Sequence, residues 1–230
     1  MPRRYSIQHW RLVVQILALL LFTYLLSSGR NKLWMLIMLA LLILTPLGGR
    51  LYCGWLCPIN TLLRPVSWLR SKKAGRPAPA LPRVRWISWL RVTIFILFLL
   101  LFAMTLRGMI KINLILILAP FAILTTVFFS AAVWHRYFCP FGVLFSLPAS
   151  VSRWRFRINP DLCRACGRCQ RVCPAGAIAV DEPSAKTYHI LPRYCLSCFT
   201  CQEVCPHSSI ELTAARPDSS RAEEKARPPV

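Results

Sequence analysis

The first 160 residues contain no aspartate and no glutamate, although the chain has 230 residues and 29 lysines and arginines. All eight acidic residues lie between positions 161 and 230. Proton pumps and cation transporters usually rely on carboxylates inside the membrane, so this absence argues against both classes. The sequence also shows no nucleophile triad and no phosphate-binding loop. Most enzymatic functions would therefore depend on a partner protein.

The net charge of +21 alone would suggest a nucleic-acid-binding protein. The basic residues, however, are scattered between long apolar runs, whereas nucleic-acid recognition needs a soluble basic face. Basic residues at the flanks of apolar runs are typical of membrane proteins. With 56% hydrophobic residues, the chain is also too apolar for an ordinary soluble domain. We expect a lipid bilayer as its environment and no nucleic acid as a partner.

Four apolar stretches stand out, and we predict that each forms a transmembrane helix. At 1.5 Å per residue they reach roughly 24 to 31 Å, against a hydrocarbon core of about 30 Å. No small-residue cleavage pattern follows the first stretch, so we expect a retained anchor. The four stretches are residues 10–28, 33–48, 86–106 and 114–134.

The distribution of basic residues predicts the orientation of these helices. The loop between the second and third stretches carries eight lysines and arginines, whereas each of the two short turns carries two. Because positively charged loops stay on the cytoplasmic side, we expect both termini, this loop and the C-terminal domain to be cytoplasmic.

The apolar half of the chain repeats itself at an offset of 82 residues. Residues 50–70 align with residues 132–152, so that Cys57 and its following proline match Cys139 and its following proline. Each repeat unit is a helical hairpin followed by a Cys-Pro turn. The two turns differ at one position, because His135 stands where the first turn has Cys53.

This difference leaves three interpretations of the Cys-Pro turns open. Thiolates and imidazole both bind borderline metals, so the four residues could form one metal site if the repeat units face each other. Cys53 and Cys57 could instead be a redox pair, or all of these residues could be structural. The residues concerned are Cys53, Cys57, Cys139 and His135.

After Asn159 the sequence becomes polar and rich in cysteine. Four cysteines spaced by three, three and four residues, with a proline after the last, occur twice at an offset of 32. In such a pattern three thiolates hold one [4Fe-4S] cluster and the fourth reaches the other cluster, whereas zinc sites more often use paired C-x2-C knuckles. We expect the first cluster on Cys163, Cys166, Cys169 and Cys205. We expect the second on Cys195, Cys198, Cys201 and Cys173.

The residues after each cysteine run predict the secondary structure of this domain. Residues 176–180 (GAIAV) and 208–212 (SSIEL) follow the two runs at equal spacing and predict short strands that cover the clusters. From Ala214 the chain lacks apolar periodicity and is expected to be disordered. We therefore predict a membrane all-α domain of four transmembrane helices in two repeated hairpins (1–158), a small α+β ferredoxin domain with two [4Fe-4S] clusters (159–213), and a tail (214–230).

This architecture resembles the NapH and MauN type of membrane polyferredoxin over nearly the whole chain. The C-x3-C-P turns beside the membrane spans are the specific part of the resemblance, and His135 departs from it. The resemblance implies an electron carrier of the bacterial inner membrane. Such a carrier draws electrons from the quinol pool, in the manner of a quinol dehydrogenase subunit, and passes them to a partner redox protein.

Other functions remain open from the sequence. More distant relatives with similar cysteine turns suggest an assembly factor that reduces a metal or cofactor, and a structural anchor is a further possibility. For quinol oxidation, His135 and His9 are the ordinary titrating groups near the membrane half that could accept protons. Five tryptophans could line a quinone cleft, although such residues are more often interface anchors. They are Trp55, Trp68, Trp86, Trp89 and Trp134.

Overall fold

The computed structural model describes residues 3–74, 85–107, 109, 114–180 and 188–214. Its N-terminal part is a helical bundle with two π-helical turns, Tyr52–Leu56 and Trp134–Phe138. The α-helices of the bundle are α1 (Arg3–Ser27), α2 (Asn31–Gly48), α3 (Pro58–Ala74), α4 (Arg85–Leu106), α5 (Leu114–Phe128), α6 (Ala131–Val133) and α7 (Pro140–Ser150).

The two repeat units interlock through their last helices. Helix α3 packs against α1 of its own hairpin and against α5 of the other unit. In the same way α7 packs against α4 of its own hairpin and against α2 of the other unit. Each unit therefore completes the packing surface of its twin.

The length of the helices bears on the four predicted membrane crossings. Ile7–Ser27 and Asn31–Gly48 are long and apolar enough to cross a membrane, by length and composition. Among the described residues the apolar parts of α4 and α5 are shorter, Trp89–Thr105 and Leu114–Phe128. The expectation of one helix over 114–134 is wrong, because the backbone is extended at Ser130 (φ −88°, ψ 156°). Four crossings remain a prediction.

The core of the bundle is built from aromatic residues of both repeat units. The Tyr52 ring stacks on the Phe145 ring with their centroids 5.2 Å apart, and its hydroxyl accepts a 3.1 Å hydrogen bond from Trp34 Nε1. Trp134 and Phe145 are fully buried. Because Tyr52 opens the first π-helical turn, this core fixes the position of the first Cys-Pro turn.

The two Cys-Pro turns share one backbone conformation. The N–H of Cys57 donates to the carbonyl of Tyr52, and the N–H of Cys139 donates to that of Trp134, both at 2.9 Å. Each cysteine is then extended, and the proline after it begins the next helix, where its fixed φ and missing N–H are tolerated. Short π-helical segments are rare and occur frequently at functional sites.

The C-terminal domain consists of two small sheets and two short helices. Strand β1 (Trp154–Ile158) pairs antiparallel with β4 (Ile210–Ala214), and β2 (Ile178–Val180) pairs antiparallel with β3 (Tyr188–Ile190). Helices α8 (Arg168–Val172) and α9 (Thr200–Val204) pack against each other. The predicted strands after each cysteine run are confirmed as β2 and β4. Strands β1 and β3 had not been predicted, and beyond Ala214 the expected tail lies outside the described residues.

The domain docks on the bundle at the first Cys-Pro turn. A Cβ atom on Gly54 would lie 2.1 Å from the carbonyl oxygen of Leu196, so only glycine permits this approach. The Gly54 carbonyl accepts hydrogen bonds from Arg11 Nε and Gln15 Nε2, both at 3.0 Å. Trp55 Nε1 donates to the carbonyl of Ser197 at 3.0 Å. Backbone groups therefore form much of this seam.

We predict that Gly54→Ala weakens the seam, because the added methyl group meets rigid backbone. Overpacking of this kind costs about 1–3 kcal/mol. Thermal unfolding in detergent should shift to lower temperature, and limited proteolysis should release the C-terminal domain faster. The control is Gly48→Ala, whose Cβ meets only the Leu51 side chain, 2.8 Å away at its Cδ1 atom. Wild-type behaviour of Gly54→Ala in both assays would contradict the prediction.

Candidate functional site

Four cysteines line a hollow in the C-terminal domain on the side of the bundle. Three of them belong to the second cysteine run and the fourth, Cys173, belongs to the first. The rest of the lining is apolar and includes Phe156, Ile178 and Leu196. We call this the inner hollow; its cysteines are Cys173, Cys195, Cys198 and Cys201.

The other four cysteines line a second hollow of similar size. The open volumes are about 330 Å³ here and about 350 Å³ for the inner hollow. Again three cysteines come from one run and the fourth from the other, and Arg164, Arg168 and Tyr188 complete the lining. We call this the outer hollow; its cysteines are Cys163, Cys166, Cys169 and Cys205.

The loops that carry the cysteines share an unusual backbone. Ala165 and Gly167 have φ of 52° and 69°, and their counterparts 32 residues later, Ser197 and Phe199, have φ of 51° and 61°. Such left-handed values are uncommon for residues with a side chain and are kept where the surrounding structure demands them. These left-handed residues turn the backbone of each cysteine loop so that the loop surrounds its hollow. The repeat seen in the sequence is therefore a repeat of conformation.

Burial sets the protonation of the thiols in the inner hollow. Burial, together with the charge of the neighbouring Cys198, raises the pKa of Cys195 to about 12 and that of Cys173 to about 11. The N–H of Ala177 donates to Cys173 Sγ at 3.2 Å and counteracts this shift. Ligand binding would have to displace these protons, as metal binding to cysteine does.

The donor sets fit an iron–sulfur cluster better than a single ion. Each hollow offers four thiols, which are the ligands of a [4Fe-4S] cluster. Among the described residues, no three His, Cys, Asp or Glu side chains are grouped closely enough to hold one metal ion.

Two buried guanidinium groups lie at the seam beside the inner hollow. Arg11 Nη1 donates to the carbonyl of Cys198 at 3.4 Å and to Thr200 Oγ1 at 3.1 Å, and Arg50 Nη1 donates to the carbonyl of Arg193 at 3.3 Å. Within the described part of the chain no carboxylate is buried with them. A buried charge needs compensation, and a group held by four thiolates would supply negative charge.

The thiols of the two Cys-Pro turns lie in one buried core. Arg50 Nη2 lies 3.8 Å from Cys53 Sγ, and the N–H of Gly142 donates to Cys139 Sγ at 3.3 Å. Cys57 belongs to the same core. His135 is also buried, and in the described region its Nε2 atom has no hydrogen-bond partner. The structure thus places the three thiols in one core, but within the described residues they are not grouped closely enough with each other or with His135 to hold a single metal ion, and their ligand role remains a proposal.

The expectation that His135 titrates near neutral pH is wrong. Burial of the imidazole, followed by the positive charges of Arg50 and Arg11, lowers the pKa of His135 to about 3. The ring is therefore neutral at physiological pH and is a poor proton acceptor. A neutral imidazole also adds no further charge beside the two buried guanidinium groups.

The predicted tryptophans do not share one cleft in the described part of the chain. Trp134 is fully buried in the bundle core, and Trp55 lies at the seam. Trp68 and Trp89 are exposed. The side chain of Trp86 lies outside the described residues. Interface anchoring is the better interpretation for the two exposed rings.

Sequence reasoning missed the residues that dock the two domains. Tyr194, which precedes a cysteine of the inner hollow, has the Arg136 guanidinium 4.7 Å from its ring centroid, and its hydroxyl accepts a 3.4 Å hydrogen bond from Arg91 Nη1. Arg11 was the available signal, because a charged residue beside an apolar stretch needs a partner. Its partners across the seam are the backbone carbonyls of Gly54 and Cys198 and the Thr200 hydroxyl, which no sequence motif reveals.

Comparison with known families assigns both halves of the chain to iron–sulfur proteins. Residues 31–77 and 113–159 each match the family model described as a 4Fe-4S binding domain. Residues 162–209 match the model described as a 4Fe-4S dicluster domain. The first two ranges contain the two Cys-Pro turns, and the third contains all eight cysteines of the hollows. No solved structure is significantly similar to the chain.

Three relatives have names that refer to electron transport or to ferredoxin. The chain is 27% identical to YccM of Escherichia coli (strain K12), provisionally named an electron transport protein, over 64% of the chain and 47% of YccM. It is 30% identical to the methylamine utilization ferredoxin-type protein MauN of Paracoccus denitrificans, over 58% of the chain and 51% of MauN. For MauN of Methylobacillus flagellatus the values are 26%, 55% and 49%.

The matches thus span about half the length of these curated relatives. Ferredoxin-type relatives and iron–sulfur family models agree with the two four-cysteine hollows and support a role in electron transfer. The chain therefore belongs to the NapH/MauN-type polyferredoxin family.

Proposed function

We propose that this chain is a membrane-bound electron-transfer protein that passes electrons between the quinol pool and a partner redox protein through two [4Fe-4S] clusters. The observation that carries the proposal is the pair of four-cysteine hollows, of which the inner one is docked on the bundle. The outer one opens to solvent, since Cys166 is exposed.

The eight cysteines would hold the two clusters in the crossed arrangement. Cys163, Cys166 and Cys169 would bind the first cluster with Cys205, and the second run would bind the second cluster with Cys173. When bound, such clusters supply one-electron transfer. The chain's own part is to exclude water with apolar lining residues and to direct N–H groups at sulfur, as Ala177 does toward Cys173.

The arrangement of the hollows gives an order from the bundle to the surface. The loop of the inner hollow contacts the first Cys-Pro turn through Leu196 and Ser197. Helix α9 then packs against α8, whose cysteine Cys169 belongs to the outer hollow. The bundle, the inner hollow and the outer hollow are thus adjacent in that order, as a relay between membrane and partner requires.

A bilayer explains the surface of the bundle. Large apolar side chains are more than half exposed along the helices, among them Leu17 on α1, Ile43 on α2 and Leu100 on α4. Exposed apolar surface on this scale marks a contact with lipid or protein. We infer four crossings in the bacterial inner membrane, with both termini and the ferredoxin domain cytoplasmic. In support, this domain docks at the bundle end that carries Arg11, Arg50 and Arg91.

A second candidate function concerns the Cys-Pro turns. Cys53, Cys57 and Cys139 lie in one buried core, and the family model described as a 4Fe-4S binding domain covers both turns. These thiols, with His135, would then hold an additional cluster, whose ligands can lie further apart than those of a single metal ion. Such a site would favour an accessory reductase that acts in the maturation of another redox enzyme.

The crossed pairing predicts which cysteine variants share a phenotype. Cys163→Ala and Cys205→Ala should lose the same cluster, so that iron falls from about eight to about four per chain. Cys195→Ala and Cys173→Ala should lose the other cluster. Iron quantitation and low-temperature EPR of the anaerobically purified protein check this. If Cys205→Ala removes the same EPR signal as Cys195→Ala, the pairing is contradicted.

The quinol role predicts a response of the cluster signals. Adding a reduced quinol analogue anaerobically to the oxidised protein in detergent should change the [4Fe-4S] EPR signals. Gly54→Ala should slow this change, because the seam joins the inner hollow to the bundle. Clusters that respond to dithionite but never to the quinol analogue would remove the quinol pool from the proposal.

The second candidate predicts metal beyond the two clusters. Iron, or another metal, should then exceed the content of two clusters, about eight irons. Cys57→Ser and Cys139→Ser should both remove the excess, while the signals of the eight ferredoxin cysteines persist. Metal content that does not differ between these variants and the wild type argues against the site.

A further inference from the structure

Three arginines of the first half of the ferredoxin domain have no arginine at the equivalent positions of the second half. Arg164, Arg168 and Arg171 of the first half correspond, at the offset of 32, to Leu196, Thr200 and Glu203 of the second half. Matching positive φ values at Ala165 and Ser197, and at Gly176 and Ser208, show that the two loops are equivalent in conformation. The three substitutions therefore change one face of the loop and leave its fold intact.

In the second half this face is a docking face. Leu196 is buried, and its carbonyl oxygen contacts Gly54 of the bundle. Thr200 Oγ1 accepts a hydrogen bond from Arg11, and Glu203 lies near enough to interact with the charges of Arg11 and Arg64. The one carboxylate of this loop thus faces a bundle end rich in guanidinium groups, whereas the loop's own cation, Arg193, lies over the Tyr194 ring, 5.3 Å from its centroid.

In the first half the same face is open. Arg164, Arg168 and Arg171 are all exposed, as is Cys166 at the edge of the outer hollow. Arg171 Nη2 makes a long 3.5 Å contact with the carbonyl of Cys166. Helix α9 packs against α1, whereas the strongest packing of α8 in the described chain is against α9 and β2. We call these three arginines, with Cys166, the arginine face.

We propose that the arginine face docks an acidic one-electron carrier protein, which exchanges electrons with the outer hollow. This rests on the proposed function, because it names the chemistry of the partner at the same site. The argument is charge complementarity. The inner face carries Glu203 and meets cations, so the equivalent outer face, which carries three cations, fits carboxylates. Asp161 is the exposed acidic residue nearest in sequence and offsets a single charge.

A charged docking face acts mainly on the rate of encounter. Electrostatic steering raises association rates by about 10- to 1000-fold and weakens as salt is added. In each encounter with a reduced carrier, the carrier loses one electron and the ferredoxin domain gains it. Because Cys166 lies within the arginine face, a partner held there would lie beside a cysteine of the outer hollow.

The experiment measures the reduction of the full-length, cluster-loaded protein in detergent by flavodoxin hydroquinone, an acidic flavoprotein, in stopped flow over a range of salt concentrations. The test variant is Arg164→Gln/Arg168→Gln/Arg171→Gln. The matched control is Arg30→Gln/Lys32→Gln/Arg107→Gln, which removes three exposed charges from the inter-helix turns. Reduction by photoreduced deazaflavin, a small donor that needs no docking, shows whether the clusters are intact in each protein.

We expect the test variant to lose about tenfold or more in second-order rate with a flattened salt dependence, and the control to keep the wild-type rate. Equal rates in all three proteins, equal losses in both variants, or no salt-dependent reaction of the wild type would overturn the inference. So would an arginine-dependent binding to phosphatidylglycerol vesicles without any effect on flavodoxin. A wild type that deazaflavin cannot reduce would instead contradict the proposed function itself.

Discussion

Two guanidinium groups removed from water constrain the rest of this structure. Arg11 and Arg50 are almost completely buried at the seam between the bundle and the ferredoxin domain. The carbonyls that they contact satisfy N–H groups but leave the charges uncompensated, and the described part of the chain buries no carboxylate. The anionic groups within reach are the Glu203 carboxylate and thiolates: Glu203 and Cys198 both act on the charge of Arg11, and Cys53 Sγ lies 3.8 Å from Arg50 Nη2. Docking of the domain, burial of the arginines and loading of the hollow are therefore coupled.

Both the bundle and the ferredoxin domain contain an internal duplication, and the differences between the duplicated parts indicate the function. In the bundle, two Cys-Pro turns share one backbone conformation, and the last helix of each unit packs on both hairpins. In the ferredoxin domain, two cysteine loops share left-handed residues at equivalent positions. The sequence differences between the halves change the exposure of equivalent positions: Leu196 is buried against the bundle, whereas Arg164 is exposed. One duplicated loop thus provides an attached side and an open side.

Sequence reasoning predicted well where chemistry is carried by spacing. The strands were predicted from the two segments that follow the cysteine runs at equal spacing, and β2 and β4 confirm them. Strand β1 was missed because its partner, β4, is distant in the chain, and β3 was missed because it is only three residues long. The helix over 114–134 failed at Ser130, since hydropathy does not report a break in backbone conformation. The seam was hidden for a similar reason: Arg11 and Gln15 bind the carbonyl of Gly54, and a carbonyl has no sequence signature.

The replacement of cysteine by His135 in the second turn follows from the same charge constraint. In the first turn Arg50 precedes Cys53 by three residues and lies 3.8 Å from its sulfur, so a thiolate there would have a cation beside it. At the aligned position the second turn has Ala132, which provides no charge. A second thiolate would then compete for the same Arg50, which reaches both turns. Imidazole avoids this competition, because burial and Arg50 keep it neutral. With Cys53 in the first turn and His135 in the second, a single buried cation, Arg50, therefore has only one thiolate to compensate at these two positions.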